Sequence, residues 1–165
     1  MSLLALDTAA LIYLSKADLP LPADTADRVR GRKIRRLLEG ADQDGDVVVL
    51  PAVALAEYLA GDQIPDAVLD QVYLETATVY VILELTAEAA VIAAKIWRKG
   101  AKGLSHHAGG RQALKADVYI CASAIANSVS KIVTNDSHFT ELLTGTGVEV
   151  ILIDRLSGAL TDDVD

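Results

Sequence analysis

The sequence predicts one α/β domain, a three-layer α/β/α sandwich around a mainly parallel, five-stranded sheet. Short apolar runs alternate with longer stretches of helical pattern along almost the whole chain. Several of these runs are apolar throughout, which is typical of strands that are covered on both faces. Because such an alternation places crossover helices between the strands, it favours parallel pairing with helices on both faces of the sheet.

The predicted elements follow one another in a regular order. Pro51 lies near the first turn of the helix after the second strand, and Thr86 opens a later helix with Glu88 close behind. The predicted strands cover 3–6, 47–50, 79–83, 131–134 and 148–153. The predicted helices cover 8–16, 25–39, 52–60, 66–75, 86–99, 113–128 and 137–143.

Length and composition fit a single domain with an aliphatic core. The chain has 165 residues, of which 52% are hydrophobic and only 4% aromatic, and this is enough to bury a core without a covalent staple. We assign residues 1–156 to the domain and residues 157–165 to an acidic C-terminal tail that frays. Because Cys121 is the single cysteine, an internal disulfide and a Cys-rich zinc site are excluded, which fits a reducing cytosol.

The sequence gives no sign of a membrane association. No apolar run reaches the ~18 residues that a membrane span requires, and no basic region precedes the first apolar stretch as it does in a signal peptide. We therefore expect a cytoplasmic protein with no membrane partner.

The chain is acidic overall, but its positive charge is concentrated in two segments. The net charge of −8 argues against a nucleic-acid partner, because Lys and Arg dominate phosphate binding. Six of the fifteen cations nevertheless fall within 28–36, and six more lie within 95–115. These two segments could attract a polyanion locally in spite of the net charge.

Four acidic residues stand in apolar surroundings where a charge needs a reason. Asp7 ends the first predicted strand, Asp136 follows the fourth, Glu57 lies within AVALAEYLA, and Asp117 precedes the apolar run VYICASAIA. Taken singly, Asp7 and Asp136 could cap the helices that follow them, and Asp117 could be a first-turn acid favoured by the helix dipole. Glu57 could be an edge residue that reaches water.

The predicted topology brings these carboxylates towards one edge of the sheet. Asp7 and Asp136 both follow parallel strands, so they project at the same carboxyl edge, and helices near that edge can bring Glu57 and Asp117 alongside. Clustered carboxylates repel one another, and a hard divalent cation relieves the repulsion. We expect Mg²⁺ or Mn²⁺, which take oxygen ligands and phosphate oxygens. Such a site suits phosphodiester hydrolysis by a metal-activated water.

The ordered set of motifs resembles the PIN domain family, especially the VapC-type toxin ribonucleases. The resemblance extends from Leu3 to about Asp154, although the basic segment 18–36 and the glycine-rich segment 100–115 depart from the compact pattern. It is carried by the strand ending in Asp7-Thr8, the Ala56-Glu57 pair, the Ala116-Asp117 pair and the segment TNDSHF, which contains Asp136.

The resemblance implies an activity, partners and roles for single residues. It implies a PIN-like parallel α/β/α fold and hydrolysis of single-stranded RNA with Mg²⁺ or Mn²⁺, which leaves a 5′-phosphate and a 3′-hydroxyl. It further implies a small antitoxin protein as partner and a homodimer. The family's catalytic and metal-binding acids carry over to Asp7, Glu57, Asp117 and Asp136. The resemblance also implies supporting roles for three residues: Thr134 is the small polar residue near the site, Asn135 orients the turn, and Thr8 holds a metal-bound water or its neighbours.

The basic segments supply candidate contacts to RNA or to an antitoxin, although a charge run is most often a solvated helix face. In a helix over 25–39, Arg28, Arg32 and either Arg35 or Arg36 share one side. His106 and His107 are expected at the surface, with substrate contact as the alternative, and Cys121 is expected to pack near the site. The candidate contacts are Arg28, Arg32, Arg35, Arg36 and Arg111.

Two other functions begin from the same residues. One is a PIN-like module that binds RNA or regulates, with little catalysis, because an intact set of acids does not by itself report turnover. The other is a metal-dependent phosphatase of the haloacid dehalogenase type with Asp7 as nucleophile. Such enzymes usually carry a second Asp two residues later, where this chain has Ala9.

Overall fold

Five parallel strands form the central layer of the structure, a computed structural model that describes residues 1–17, 26–62, 64–99 and 110–157. The strand order is β3-β2-β1-β4-β5, and every neighbouring pair is parallel. The predicted five-stranded sheet is confirmed. The strands are β1 (Leu3–Leu6), β2 (Val47–Pro51), β3 (Val81–Leu83), β4 (Lys131–Thr134) and β5 (Glu149–Leu152).

Helices connect the strands and cover both faces of the sheet. Short 3₁₀ turns at Asp66–Val68 and Ile153–Arg155 complete the described secondary structure. None of the described helices is both long and apolar enough to cross a membrane. The α-helices are α1 (Thr8–Lys16), α2 (Ala26–Gln43), α3 (Ala52–Leu59), α4 (Leu69–Val79), α5 (Ala87–Lys99), α6 (Gly110–Ala126) and α7 (His138–Leu142).

Two hydrophobic clusters lie on opposite faces of the sheet, as the three-layer prediction requires. Successive side chains of a strand point to opposite faces, and β1 shows this directly. Ala5 belongs to the cluster that contains α5, α6 and α7 side chains, whereas Leu4 and Leu6 belong to the cluster formed with α1 and α2. Both clusters are mainly aliphatic, and Phe139 is a fully buried aromatic residue among them.

A glycine allows α1 and α2 to pack in close contact. Gly31 is buried in α2, and a Cβ at this position would collide with the backbone carbonyl oxygen of Tyr13 in α1. Gly40, in the same helix, has open space around it. The close approach matters for the site because α1 begins directly after Asp7.

Some predicted boundaries are wrong, most clearly around the third strand. The segment 79–83 was expected to be a strand, but Val79 ends α4, and the Tyr80 N–H donates to the Thr76 carbonyl at 3.0 Å. Helix hydrogen bonding therefore continues to the residue before β3, because β-branched residues also fit a helix end when the backbone bonds are made. The other differences are a 3₁₀ turn in place of the first turn of helix 66–75, a later end of α2, an earlier start and end of α6, a shorter α7 and a 3₁₀ conformation at Ile153.

Candidate active site

Asp7 lies at the point where the chain order of the sheet reverses. From β1 the chain moves outward through β2 and β3, and it returns on the other side of β1 through β4 and β5. Clefts form at such switch points, beyond the carboxyl ends of the strands. Asp7 directly follows β1 at this end and is only 4% exposed.

One carboxylate oxygen of Asp7 caps helix α1, which is one of the two interpretations of this residue given above. The Ala10 N–H donates to Asp7 Oδ1 at 2.7 Å, which satisfies a free donor at the start of α1. The Asp7 N–H donates to the Val133 carbonyl at 3.1 Å, and this bond ties the residue to β4. An ionised carboxylate has about four acceptor positions, so capping does not exclude a second role.

The other oxygen of Asp7 is held by a fully buried hydroxyl. Thr134 Oγ1 donates to Asp7 Oδ2 at 2.5 Å and accepts the Asp136 N–H at 2.9 Å. Thr134 therefore joins the ends of β1 and β4 and fixes the start of the turn that carries Asp136. The resemblance implies that Thr134 is the small polar residue near the site, and this role stays a prediction.

Asp136 is itself held in place by the residues that follow it. Its Oδ1 accepts the His138 backbone N–H at 2.8 Å and lies 2.8 Å from His138 Nδ1. His138 was not among the site residues predicted from the sequence. The signal that could have found it is the Asp-x-His spacing at a helix start, which places the ring next to the capping carboxylate.

Two of the predicted acids, Asp117 and Asp136, act electrostatically on a third, Asp7. The pKa of Asp7 is raised from its ordinary value to about 7. Burial is the main cause; the hydrogen bonds from Thr134 and Ala10 act against it, and the negative charges of Asp117 and Asp136 act with it. Cys121 is fully buried, and its thiol pKa is raised first by burial and then by the same three acids. The prediction that Cys121 packs near the site is therefore confirmed.

Glu57 reaches the site through Thr8. Thr8 Oγ1 donates to Glu57 Oε2 at 2.6 Å, so the glutamate is linked to the residue next to Asp7. Glu57 is exposed, in agreement with the alternative that it reaches water from the edge of its helix. Across the described part of the chain, no three or more Asp, Glu, His or Cys side chains are grouped closely enough to hold a metal ion. Asp7, Asp117 and Asp136 thus interact electrostatically, and Glu57 is linked to them through Thr8. In the described residues, these acids do not form a complete set of metal ligands.

The donor set fits a hard divalent cation. Carboxylates and the Thr8 hydroxyl are oxygen donors, which Mg²⁺ and Mn²⁺ prefer. The burial and like charges that raise the pKa of Asp7 are the condition that a cation between the carboxylates would relieve. Assignment of Asp7, Glu57, Asp117 and Asp136 as metal ligands stays a prediction.

Asn135 connects the turn of the site to the opposite layer of helices. Its side chain hydrogen-bonds Asp154, whose pKa is lowered first by the hydrogen bond from Arg30. Arg30 Nε and Nη2 donate to the two Asp154 oxygens at 2.8 and 3.2 Å, and its guanidinium lies 5.2 Å from the centre of the Tyr13 ring. The pairing of Arg30 with Asp154 was not predicted, because residues 124 positions apart meet only after folding.

The predicted cationic contacts lie on α2 where the structure describes them. Arg36 is exposed, and Arg28, Arg32 and Arg35 are partly buried. Arg35 lies near the Tyr80 hydroxyl, whose pKa burial raises and the Arg35 charge lowers. The Arg111 side chain, His106 and His107 lie outside the described residues. A role of these arginines in binding stays a prediction.

The fold and the site together define a parallel α/β domain with an acidic edge site at the switch point of its sheet. The model of the PIN domain family matches residues 4–142, which is most of the chain. The chain belongs to the PIN domain family, a family of nucleases.

Solved structures with the same fold come from several bacteria. VapBC2 from Rickettsia felis, bound to a promoter DNA fragment, has a TM-score of 0.63 and 17% identity over 91% of this chain and 98% of that chain. DNA-bound VapBC from Salmonella typhimurium has a TM-score of 0.62 and 17% identity over 93% and 99%. VapBC-5 from Mycobacterium tuberculosis has a TM-score of 0.52 and 20% identity over 92% and 99%. A comparison with curated proteins gives no match.

Proposed function

We propose that this chain is a metal-dependent endoribonuclease that hydrolyses single-stranded RNA in the cytoplasm and acts as the toxin of a toxin–antitoxin pair. The observation that carries the proposal is the buried Asp7 at the switch point of the sheet, within the fields of Asp117 and Asp136. In the proposed mechanism, these acids of the PIN domain would bind Mg²⁺ or Mn²⁺ together with Glu57. The bound cation would supply Lewis-acid polarisation of the phosphate and a water of lowered pKa.

Three residues of this chain, Asp7, Thr134 and Thr8, would position the groups that act in the reaction. Asp7 is pre-oriented by two hydrogen bonds, so it does not need to reorganise when the substrate binds. Thr134 keeps Asp7 and the turn of Asp136 at a fixed separation. Thr8 orients Glu57 at the exposed border, where a phosphate can approach.

The test compares wild type with Asp7→Asn on a mixed pool of single-stranded RNA, with Mn²⁺ and with chelator. Asp42→Asn is the matched control, because Asp42 is an exposed residue near the end of α2. We expect wild type and Asp42→Asn to give fragments with 5′-phosphate and 3′-hydroxyl ends in Mn²⁺ only. Full cleavage by Asp7→Asn would refute the mechanism, and RNA binding without cleavage by wild type would favour the binding-module alternative.

An antitoxin partner and a homodimer are part of the proposal. The solved structures of the same fold are VapBC toxin–antitoxin complexes, which supports a partner of this kind. The homodimer is supported by apolar side chains that α4 and β3 leave exposed, with Leu74 62% and Val81 54% accessible. Sedimentation of wild type beside Leu74→Arg tests the dimer: an unchanged mass for both proteins at the monomer value would refute it.

A further inference from the structure

A cavity of about 370 Å³ lies between α5 and α6, separate from the four acids of the site. Its floor is apolar, with Ala93 and Val118 almost fully buried. Two aromatic residues, Trp97 and Tyr119, line the cavity, and Tyr119 is 39% exposed. Its volume falls within the range of about 300 to 1,000 Å³ that is usual for small-ligand sites.

The lining of this cavity is positively charged in a chain of net charge −8. Arg98 and Lys115 line it and both are exposed, and none of the described residues that line the cavity is acidic. Within the described ranges, neither cation forms a salt bridge with a carboxylate. The cavity is therefore complementary to an anion that also carries an apolar, flat group.

A nucleotide has this combination of groups. Bases stack on aromatic side chains with little dependence on sequence, while the phosphates of a single strand are held by Lys and Arg. A second copy of this chain fits less well, because a two-fold interface here would bring the same Arg98 and Lys115 charges of both copies into one contact region. The charge distribution thus favours a nucleic acid over self-association at this cavity.

The cavity and the acidic site share one helix. Asp117 is two positions from Lys115 and two from Tyr119, so on α6 these two residues project from the side roughly opposite to Asp117. A nucleotide in the cavity is therefore not the one that carries the cleaved bond. It belongs to a neighbouring part of the strand that passes around α6.

We propose that the cavity between α5 and α6 binds a nucleotide of the single-stranded RNA, with its base against Trp97 and Tyr119 and its phosphate at Arg98 and Lys115. This inference rests on the proposed function for the identity of the strand as RNA. The cavity would hold a neighbouring part of the same strand, on the other side of α6 from Asp117, and add affinity without taking part in the chemistry.

Trp97 provides a direct measurement, because it is the single tryptophan of the chain. Full-length protein is titrated in chelator with a mixed-sequence single-stranded RNA of ten nucleotides, so that binding is observed without cleavage. Saturable quenching of Trp97 fluorescence is expected. Single-stranded DNA of the same sequence forms a second arm, and quenching by DNA alone would overturn the assignment to RNA.

Substitutions separate the cavity from general charge effects. Arg98→Gln and Lys115→Gln should each reduce the slope of log affinity against log salt by about 0.7, the value for one lost phosphate contact on a single strand. Lys131→Gln removes the same charge from β4, outside the cavity lining, and should leave the slope unchanged. With fluorescently labelled RNA, Tyr119→Ala should weaken binding at least about fivefold.

Three outcomes would overturn the proposal: absence of saturable quenching, equal slopes for all variants, or a concentration-dependent dimer that shields Trp97 from acrylamide. The last result would assign the cavity to a second copy of the chain. The cleavage assay with Asp7→Asn is independent. Metal-dependent cleavage without Trp97 quenching would remove this inference alone, whereas quenching without cleavage would remove the nuclease proposal and leave the nucleotide site in place.

Discussion

Asp7 makes the stability of the metal-free protein depend on pH in a direction unusual for a carboxylate. Burial and two neighbouring acids raise its pKa from 3.8 to about 7. A carboxyl group with a raised pKa in the folded state contributes its full stability below its unfolded pKa, and this contribution is lost as the pH rises through the folded pKa. In chelator, the contribution of Asp7 to the free energy of unfolding of wild type should therefore decrease between pH 5 and pH 8.

The magnitude follows from the shift. One pKa unit corresponds to about 1.4 kcal/mol, so a rise of about 3 units is worth about 4 kcal/mol in full, and about 2 to 3 kcal/mol of this falls between pH 5 and pH 8. Asp7→Asn removes the titration and keeps an oxygen that can accept the Ala10 N–H. In chelator, the variant should gain about 2 to 3 kcal/mol relative to wild type over this interval.

The assay is urea unfolding followed by far-UV circular dichroism at half-unit steps from pH 5 to pH 8. Asp42→Asn, which removes an exposed carboxylate, should follow wild type at every pH. If the stability of Asp7→Asn and wild type changes in parallel with pH, Asp7 does not titrate in this interval and the electrostatic description of the site is wrong.

Three further predictions concern the framework of the site. Gly31→Ala should destabilise the protein by about 2 kcal/mol or more, because the new Cβ would collide with the Tyr13 carbonyl. Gly40→Ala in the same helix should stabilise it by up to about 1 kcal/mol, and thermal unfolding of both variants tests the difference. Thr134→Val should cost about 2 to 4 kcal/mol in urea unfolding, since it leaves Asp7 and the Asp136 N–H without their buried partner, and Thr134→Ser should recover most of that loss. Asp154→Asn should lower stability at neutral pH, and this effect should disappear as the pH falls through the lowered pKa of Asp154, because the hydrogen bond from Arg30 stabilises only the charged carboxylate; equal effects at pH 3 and pH 7 would contradict this.

The parallel sheet was predictable because its strands carry the signal themselves. LLAL, VVVL and KIVT are apolar on both faces, and all of them lie in the buried centre of the sheet. The edge strand β3 was less well predicted. Val81 is 54% exposed there, so burial does not mark where the strand begins, and the preceding Val79 continues a helix.

The site likewise has residues that could be predicted from local sequence and contacts that could not. Asp7, Asp117 and Asp136 could be recognised because a charge next to an apolar run is visible in the sequence. The contact of Asp7 with Thr134 and that of Arg30 with Asp154 join residues 127 and 124 positions apart. Such contacts depend on strand order and helix placement, which no local pattern specifies.

The double hydrogen bonding of Asp7 decides how mutations at this position have to be interpreted. Its Oδ1 begins α1 while its Oδ2 is held by Thr134. Alanine would remove the helix cap together with the charge, so an inactive Asp7→Ala protein would not distinguish a lost reaction from a displaced helix. Asparagine keeps the cap, removes the charge and replaces the oxygen that accepts the Thr134 hydroxyl with an amide donor. A protein that is more stable and yet inactive would show that this position is maintained for chemistry at the expense of the fold.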